Sequence, residues 1–417
     1  MRGRHPWLLL LPLLIVYLAA AFFFPSHPDD EASYVELAHR LVDGRYVAGD
    51  EDALLDDDPA SPDLWFGPGA PLLLAPLAAV DAPIEAFRLV GPLALFGAML
   101  CFYALARDRW DSRVALVATY ALGLYPPFLA LLPNVHSEPP AILFIGAAML
   151  GFSRTLGSGG SKSFVMTAAA LAALALTRVA YGWVLTVMLL LLLLTAFVRR
   201  PAPVALRSAK VVALALLLCV PWLAYTAAKT GRPLVWGNSG SLSLYWMSSP
   251  YDGDSGDWRQ ANDVFTDPEL APHRSFFASL RGLPLAEQNA EIEREAIGNI
   301  VDDPLAYAGN VAANGSRLLV NAPYSDSRWK ANDLFYALPN AVLVAAIALS
   351  IVVLARRRRR LPPETLPLAF LAAVALVAHL LVAGYPRMLA PIAPVVAWFT
   401  TLALVEAGIL RTASRGA

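Results

Sequence analysis

Residues 8–46 read LLLLPLLIVYLAAAFFFPSHPDDEASYVELAHRLVDGRY: an apolar run, an acidic triplet, then an amphipathic stretch. The run from Leu8 to Phe24 follows a basic start, MRGRHPW. A basic start, an apolar stretch and Ala19-Ala20-Ala21 would suit a cleaved signal peptide. The bulky Phe22, Phe23 and Phe24 behind the alanines favour an uncleaved first span instead, with its arginine-bearing end in the cytoplasm and Asp30 outside. Behind Asp29-Asp30-Glu31, the residues Val35, Leu37, Ala38 and Leu41 recur at helical spacing. The acids therefore stand where a short helix begins, where orphan N–H groups and the helix dipole favour negative charge. Two readings are open: an N-capped helix lying on the membrane surface, or an active-site acid held at the outer membrane face.

Further apolar runs decide the fold class. The chain has 417 residues, 57% of them hydrophobic and 16% charged. Spans are expected over Ile84–Leu105, Val114–Leu131, Pro140–Phe152, Phe164–Leu176, Tyr181–Val198, Val211–Ala227, Tyr336–Ala355, Leu366–Ala383 and Leu389–Ala407. With the first run this predicts an all-α polytopic membrane protein of about ten transmembrane helices. The runs at Pro140 and Phe164 are short, which suggests a thinned or protein-surrounded site. Leu72–Val80 carries Pro71 at its edge and Pro76 inside, is too short to span, and reads as re-entrant or interfacial. Arg107/Arg109/Arg113, Arg154/Lys162, Arg199/Arg200/Arg207/Lys210, Arg356 to Arg360 and Arg411/Arg415 all fall on the side of Arg2 and Arg4. Positive residues mark the cytoplasmic face, so both termini are expected there, in a plasma (bacterial inner) membrane.

The partition expected is a transmembrane core over 1–228, including a first external loop over 25–83. It continues with one large mixed external segment over 229–335 and C-terminal transmembrane helices over 336–417. The external segment opens with GRPLVWGNSGSLSLYWMSSPYDGDSGDW, suited to extended or turn structure, and continues through Glu287 to Leu319 with helical periodicity interrupted at Pro304. The net charge of −1 says nothing of nucleic acid, because the charges are segregated by topology. Cys101 and Cys219 lie inside apolar runs, which excludes a disulfide framework and a zinc site. The Asp56-Asp57-Asp58 run fits no EF-hand loop and reads as a solvated loop. Only Lys162, Lys210, Lys229 and Lys330 of the 32 basic residues are lysine. Arginine forks onto phosphate oxygens, so an arginine-dominated chain remains suited to phosphate.

The informative charges are those that break the topological rule. Arg178 ends a span on the outer face, Arg387 sits in Gly384-Tyr385-Pro386-Arg387-Met388 between two late spans, and Glu138 follows Asn134, Val135, His136 and Ser137 in an outer hairpin. Each alone could snorkel to the interface. Together with Asp30 they bring acids and guanidinium groups from early, middle and late spans to one level, as a polar site at a membrane face would require. Acids beside arginines suit a substrate that carries a phosphate and a hydroxyl to be deprotonated.

On these residues the chain resembles the GT-C type membrane glycosyltransferases, in the clan of protein O-mannosyltransferases, the lipid A aminoarabinose transferase and the Rgt-like lipopolysaccharide glycosyltransferases. Asp29-Asp30-Glu31-Ala32-Ser33-Tyr34 is similar to the clan's first-loop motif, and Gly67-Pro68-Gly69-Ala70-Pro71 to its Gly-Pro-Gly-Tyr-Pro segment, with Ala70 for the usual tyrosine. Leu176-Thr177-Arg178, Pro221-Trp222 with Gly231, and Arg387-Met388-Leu389-Ala390-Pro391 resemble later landmarks in the same order; Met388 replaces a common tyrosine. The resemblance implies an inverting glycosyltransferase that moves one sugar from a polyprenyl-phosphate donor to an acceptor hydroxyl of a cell-envelope glycan, lipid or protein. It implies Asp30 as catalytic base with Glu31 beside it, and Tyr34, His136, Glu138, Arg178, Tyr385 and Arg387 on substrate. It implies no required cofactor and assigns no residue to a metal, although Asp29, Asp30, Glu31, Glu138 and His136 leave room for a divalent ion. Two other readings stay open: an O-antigen-type polymerase or ligase acting on undecaprenyl-linked sugars, and a multi-span transporter, which inverted repeats and midplane charges would mark.

Overall fold

The computed structural model describes residues 6–26, 30–46, 64–157, 159–324, 333–357 and 361–411. Asp29, the Asp56-Asp57-Asp58 run, Arg2, Arg4, Arg358 to Arg360 and Arg415 lie outside them. The described residues are helical throughout, without a strand: α1 Leu11–Phe23, α2 Glu31–Val42, α3 Gly69–Ala78, α4 Ile84–Arg88, α5 Val90–Arg109, α6 Ser112–Gly123, α7 Pro126–Ala130, α8 Glu138–Gly157, α9 Ser161–Thr177 and α10 Ala180–Val198. There follow α11 Pro203–Leu218, α12 Val220–Thr230, α13 Ser239–Met247, α14 Asp263–Thr266, α15 Arg274–Leu280, α16 Leu285–Asp302, α17 Pro304–Val320, α18 Leu334–Arg357, α19 Thr365–Val382 and α20 Ala393–Glu406.

Among these, six helices are long and apolar enough to cross a membrane, and a seventh crossing is made if α11 and α12, bent by 49° at their junction, act as one. Three shorter apolar helices, Trp7–Phe23, Gly69–Ala78 and Ser161–Thr177, stand beside them. The sequence predicts about ten spans, and the local differences have identifiable causes. Val114–Leu131 is not one span: it breaks after Gly123 ahead of Pro126-Pro127, whose rings disfavour helix in the residue before them. The short span at Pro140 is instead the 20-residue α8, because Pro139 and Pro140 fall in its first turn, where missing N–H groups cost nothing. The shortness that suggests a thinned or protein-surrounded site therefore does not hold for α8, while Ser161–Thr177 remains short.

α5, α8 and α9 pack in series, α10 and α11 close on them, and α18 pairs with α20. The bundle core runs from Leu13 and Tyr17 through Phe102, Phe128, Ile145, Met149 and Leu171 to Trp398. The stretch Gly231–Trp258, expected as extended or turn structure, contains α13. Its buried residues Leu242, Tyr245 and Trp246 recur three and four apart, the signature of one helical face. They join Phe277, Ile292 and Ala296 in a separate hydrophobic cluster between α12 and α18.

Two close approaches fix the surroundings of Arg178. A Cβ on Gly67 would lie 2.1 Å from the Leu176 carbonyl oxygen, and one on Gly69 2.5 Å from the Thr177 nitrogen. The Gly67-Pro68-Gly69 segment thus lies directly against the chain that leads into Arg178. In the same corner, a Cβ on Gly182 would lie 2.0 Å from the Trp236 ring. We expect Gly182→Ala to destabilise the protein by about 1–3 kcal/mol through overpacking. Gly240→Ala, with nothing within 4 Å of the added carbon, should be neutral or stabilising by up to about 1 kcal/mol. Thermal unfolding in detergent separates the two.

Candidate active site

The site is assembled where α2, the 134–138 hairpin, the α9–α10 corner and the 3-10 helix Pro386–Ile392 meet. Asp30 is the residue at which α2 begins: its carbonyl accepts the Tyr34 N–H at 3.1 Å. Its carboxylate makes no capping bond to the helix. It accepts a hydrogen bond from Arg387 Nη1 at 3.0 Å instead. Of the two readings of this acid, the surface-helix cap is therefore not the one its side chain adopts.

Glu138 is the hub. It is 1% exposed, its Oε1 lies 2.7 Å from Arg178 Nη1 and 3.7 Å from Arg387 Nε, and it opens α8, where an acid is favoured by the dipole. Arg178 also donates to the Ser137 hydroxyl at 3.1 Å. Asp30, Glu138, Arg178 and Arg387 thus form one cluster of two carboxylates and two guanidinium groups, brought together from residues spread over most of the chain.

Glu31 goes elsewhere. Both its oxygens are held by Arg88, Nε to Oε2 at 2.9 Å and Nη2 to Oε1 at 2.7 Å, and Oε2 also accepts the Val135 N–H at 2.9 Å. Burial raises its pKa, but the Arg88 hydrogen bonds, the Val135 N–H and the charges of Arg88 and His136 outweigh burial and leave it lowered. A carboxylate so engaged braces the first loop against the 134–138 hairpin. Arg88 is the residue that sequence reasoning missed, although it breaks the same topological rule as Arg178 and Arg387: it stands at the outer end of an expected span.

Tyr34 is 3% exposed and packs on Phe66 with ring centroids 4.6 Å apart. Burial first, then the Asp30 and Glu138 charges, push its hydroxyl pKa up, so it remains a proton donor beside Ser137. His136 is buried, lies within electrostatic reach of Glu31, and lines a shallow apolar pocket with Ala70, Leu74, Val135 and Pro140. Tyr385 donates its hydroxyl to Asp257 Oδ1 at 3.2 Å, a protein partner rather than an open position. Among the described residues no three of His, Cys, Asp and Glu converge as a metal-ligand set, and the two acids of the central cluster face guanidinium groups.

Residues 66–225 match the profile of a family described as dolichyl-phosphate-mannose-protein mannosyltransferase. No curated protein matches the chain. Among solved structures, the archaeal oligosaccharyltransferase AglB from Archaeoglobus fulgidus, in complex with an inhibitory peptide and a dolichol-phosphate, superposes with a TM-score of 0.53 at 13% identity. The match covers 96% of this chain and 50% of that one, so the chain spans about half the length of that protein. ArnT from Cupriavidus metallidurans bound to undecaprenyl phosphate gives 0.44 at 15% identity over 95% of this chain and 78% of that one. Its apo state gives 0.44 at 15% over 96% and 76%. The fold is the all-helical GT-C polytopic fold. The family match spans residues 66–225, less than half of the chain, so what these comparisons establish is the fold and a similarity to that family.

Arg88→Ala would leave a buried, uncompensated carboxylate at Glu31, and should destabilise the protein by about 3–5 kcal/mol. Adding Glu31→Gln should recover much of that loss. Because the folded-state pKa of Glu31 is depressed, its contribution is fully present above the unfolded carboxylate value of about 4.3 and is lost as pH falls through the folded value. The stability gap between wild type and Glu31→Gln, read by thermal unfolding in detergent, should therefore be constant near neutrality and close on acidification.

Proposed function

We propose that the protein transfers one sugar, with inversion, from a polyprenyl-phosphate-linked donor to an acceptor hydroxyl at the outer face of the plasma membrane. The observation that carries this reading is the ion pair of Asp30, an acid released from helix capping, with Arg387, inside a cluster that also contains Glu138 and Arg178. The donor class is supported by the description of the matching family, a dolichyl-phosphate-sugar transferase, and by the dolichol-phosphate bound to AglB, whose fold is similar. The outer face is supported by the helix directions. α8 starts at the cluster and ends near Arg154, and α10 starts beside Arg178 and ends at Arg199 and Arg200, so the cluster and the basic ends lie at opposite ends of the bundle.

The chemistry follows from the charges. Asp30 accepts the acceptor's hydroxyl proton as that oxygen attacks the anomeric carbon from the face opposite the phosphate. The bond from the anomeric carbon to the phosphate oxygen breaks, and its electron pair stays on the departing polyprenyl phosphate. A phosphate leaving group needs charge stabilisation rather than a general acid, so one carboxylate suffices; a glycoside leaving as an alkoxide would need two. The arginines divide the work by exposure. Arg178, with a side chain 13% exposed and committed to Glu138 and Ser137, positions Glu138. Arg387, with a side chain 30% exposed, is the more accessible of the two and the one we assign to the phosphate, onto which a guanidinium can fork. Glu31 and Arg88 position the loop that carries Asp30. The segment 229–335 reaches the edge of the cluster through Asp257 and Tyr385 and shapes acceptor choice.

With purified protein in detergent and radiolabelled polyprenyl-phosphate sugars, Asp30→Asn should lower turnover by about 10²–10⁴-fold with donor binding retained and the protein still folded. Normal turnover in that variant would remove Asp30 from the mechanism. Arg387→Ala should chiefly weaken the donor, raising its KM; an unchanged donor affinity would make Arg387 structural.

A further inference from the structure

The 249–258 loop, between α13 and α14, contains Tyr251-Asp252-Gly253-Asp254-Ser255-Gly256-Asp257, which looks like an acidic cation loop. The structure turns its acids to other uses. Asp254 faces one way: it accepts from the Ser249 hydroxyl and lies 2.9 Å from His273 Nε2, and His273 Nδ1 in turn meets the Tyr245 hydroxyl at 2.7 Å, all in the core of the 239–296 cluster. Asp257, 5% exposed, accepts the Tyr385 hydroxyl. The backbone has positive φ just before Asp254, at Gly253 (+99°), and between the two acids at Ser255 and Gly256 (+54° and +65°).

What holds this loop is a buried arginine. Arg317 on α17 is 1% exposed and donates to the carbonyl oxygens of Ser255 at 3.2 Å, Gly256 at 2.9 Å and Pro323 at 2.9 Å, with Asp257 Oδ1 3.9 Å from its Nη1. Its guanidinium also lies over the Tyr324 and Tyr385 rings, at 5.8 and 6.0 Å. One turn earlier, Asn314 donates to the His379 and Leu380 carbonyls at the end of α19, both at 2.9 Å. α17 therefore grips two things at once: the loop carrying Asp257 and the end of the helix from which residues 384–387 emerge. Tyr385 stands two residues before Arg387, with Pro386 between them, and its carbonyl accepts the Met388 N–H at 2.8 Å. Burial first, then the Asp257 charge, raise the Tyr385 pKa, so the hydroxyl stays a donor.

We infer that Asp257 is a positioning residue for phosphate recognition: through its hydrogen bond with Tyr385, the segment between α12 and α18 sets where Arg387 presents its guanidinium. This rests on the proposed role of Arg387, and it assigns a task to a residue outside the central cluster. Arg317 supports Asp257 by shaping the loop. The Oδ1 that accepts the Tyr385 hydroxyl also lies 3.9 Å from Arg317 Nη1; an amide in its place keeps an acceptor oxygen for Tyr385 and most of the effect, and a methyl does not.

The test measures binding of undecaprenyl phosphate to the purified full-length protein for wild type, Tyr385→Phe, Asp257→Ala, Asp257→Asn and the Tyr385→Phe/Asp257→Ala double variant, with thermal unfolding of each. Tyr385→Phe and Asp257→Ala should each weaken binding about tenfold, in the range of one lost hydrogen bond to a charged group. The double variant should lose clearly less than the sum of the two singles, because both break the Tyr385–Asp257 contact, and Asp257→Asn should stay within about threefold of wild type. Wild-type affinity in Tyr385→Phe, or additive losses in the double variant, overturns the inference. If Asp257→Ala proves unfolded, Tyr385→Phe, which removes one oxygen atom, decides alone. Wild type that binds no undecaprenyl phosphate would instead overturn the proposed donor class, so the two failures are distinguishable.

Discussion

The contact on which the rest depends is the ion pair between Asp30 and Arg387, two residues 357 positions apart. One opens the helix after the first apolar run and the other opens the last apolar segment, so the pair closes the two ends of the chain on each other. Charges at the margin of a bilayer are costly unless paired, and here each requires a partner from a distant span. Glu138 makes the pair a network, because it faces both Arg178 and Arg387 and has almost no access to solvent. Removing any one of the four groups leaves a charge without its counterpart. The cluster thus ties α2, α8, the α9–α10 corner and the last apolar segment together above the apolar core.

Much of this is legible in the sequence, and the reason is physical. A membrane makes every ionisable residue in or beside a span conspicuous, and the positive-inside rule says which end it should occupy. Arg178 and Arg387 stand out because the expected topology sets them against that rule, and Glu138 because it is an ionisable residue at the mouth of a span; the structure gathers all three in one cluster with Asp30. The same logic applied to Arg88 finds the partner of Glu31, but Arg88 falls within the expected span Ile84–Leu105 and resembles its polar edge. Glu31 cannot be told from Asp30 by sequence at all. The two are adjacent, and only the direction of each carboxylate separates the acid that faces Arg387 from the acid that ties the first loop down.

Helix ends are less legible than helices. Proline reads as a breaker, yet in the first turn of α8 it removes only N–H groups that have no partner anyway, and the helix starts at Glu138 rather than two residues later. That shift matters, because it puts the hub acid at the positive end of the helix dipole instead of in a loop. In α13 the aromatic and small residues suggest extended chain, whereas their burial follows the helical period. Aromatic content is a weak indicator of strand when the available partners are other helices; Tyr245 and Trp246 pack on Phe277 and on His273.

The expected partition at residues 228/229 and 335/336 is a partition of the sequence, and packing crosses it. α17 lies against both α18 and α19, Asn314 satisfies carbonyls at the end of α19 that the helix itself leaves open, and Arg317 lies buried against the carbonyls of the loop that holds Tyr385. A buried guanidinium is costly unless its donors are met, and the Nη groups of Arg317 are met by the carbonyls of Ser255, Gly256 and Pro323, so its burial on α17 depends on that loop being in place. The large segment and the bundle therefore order each other. Arg387, the arginine proposed to hold phosphate, stands at that junction and takes its geometry from both sides, so a segment far along the chain bears on the surroundings of an acid near its beginning.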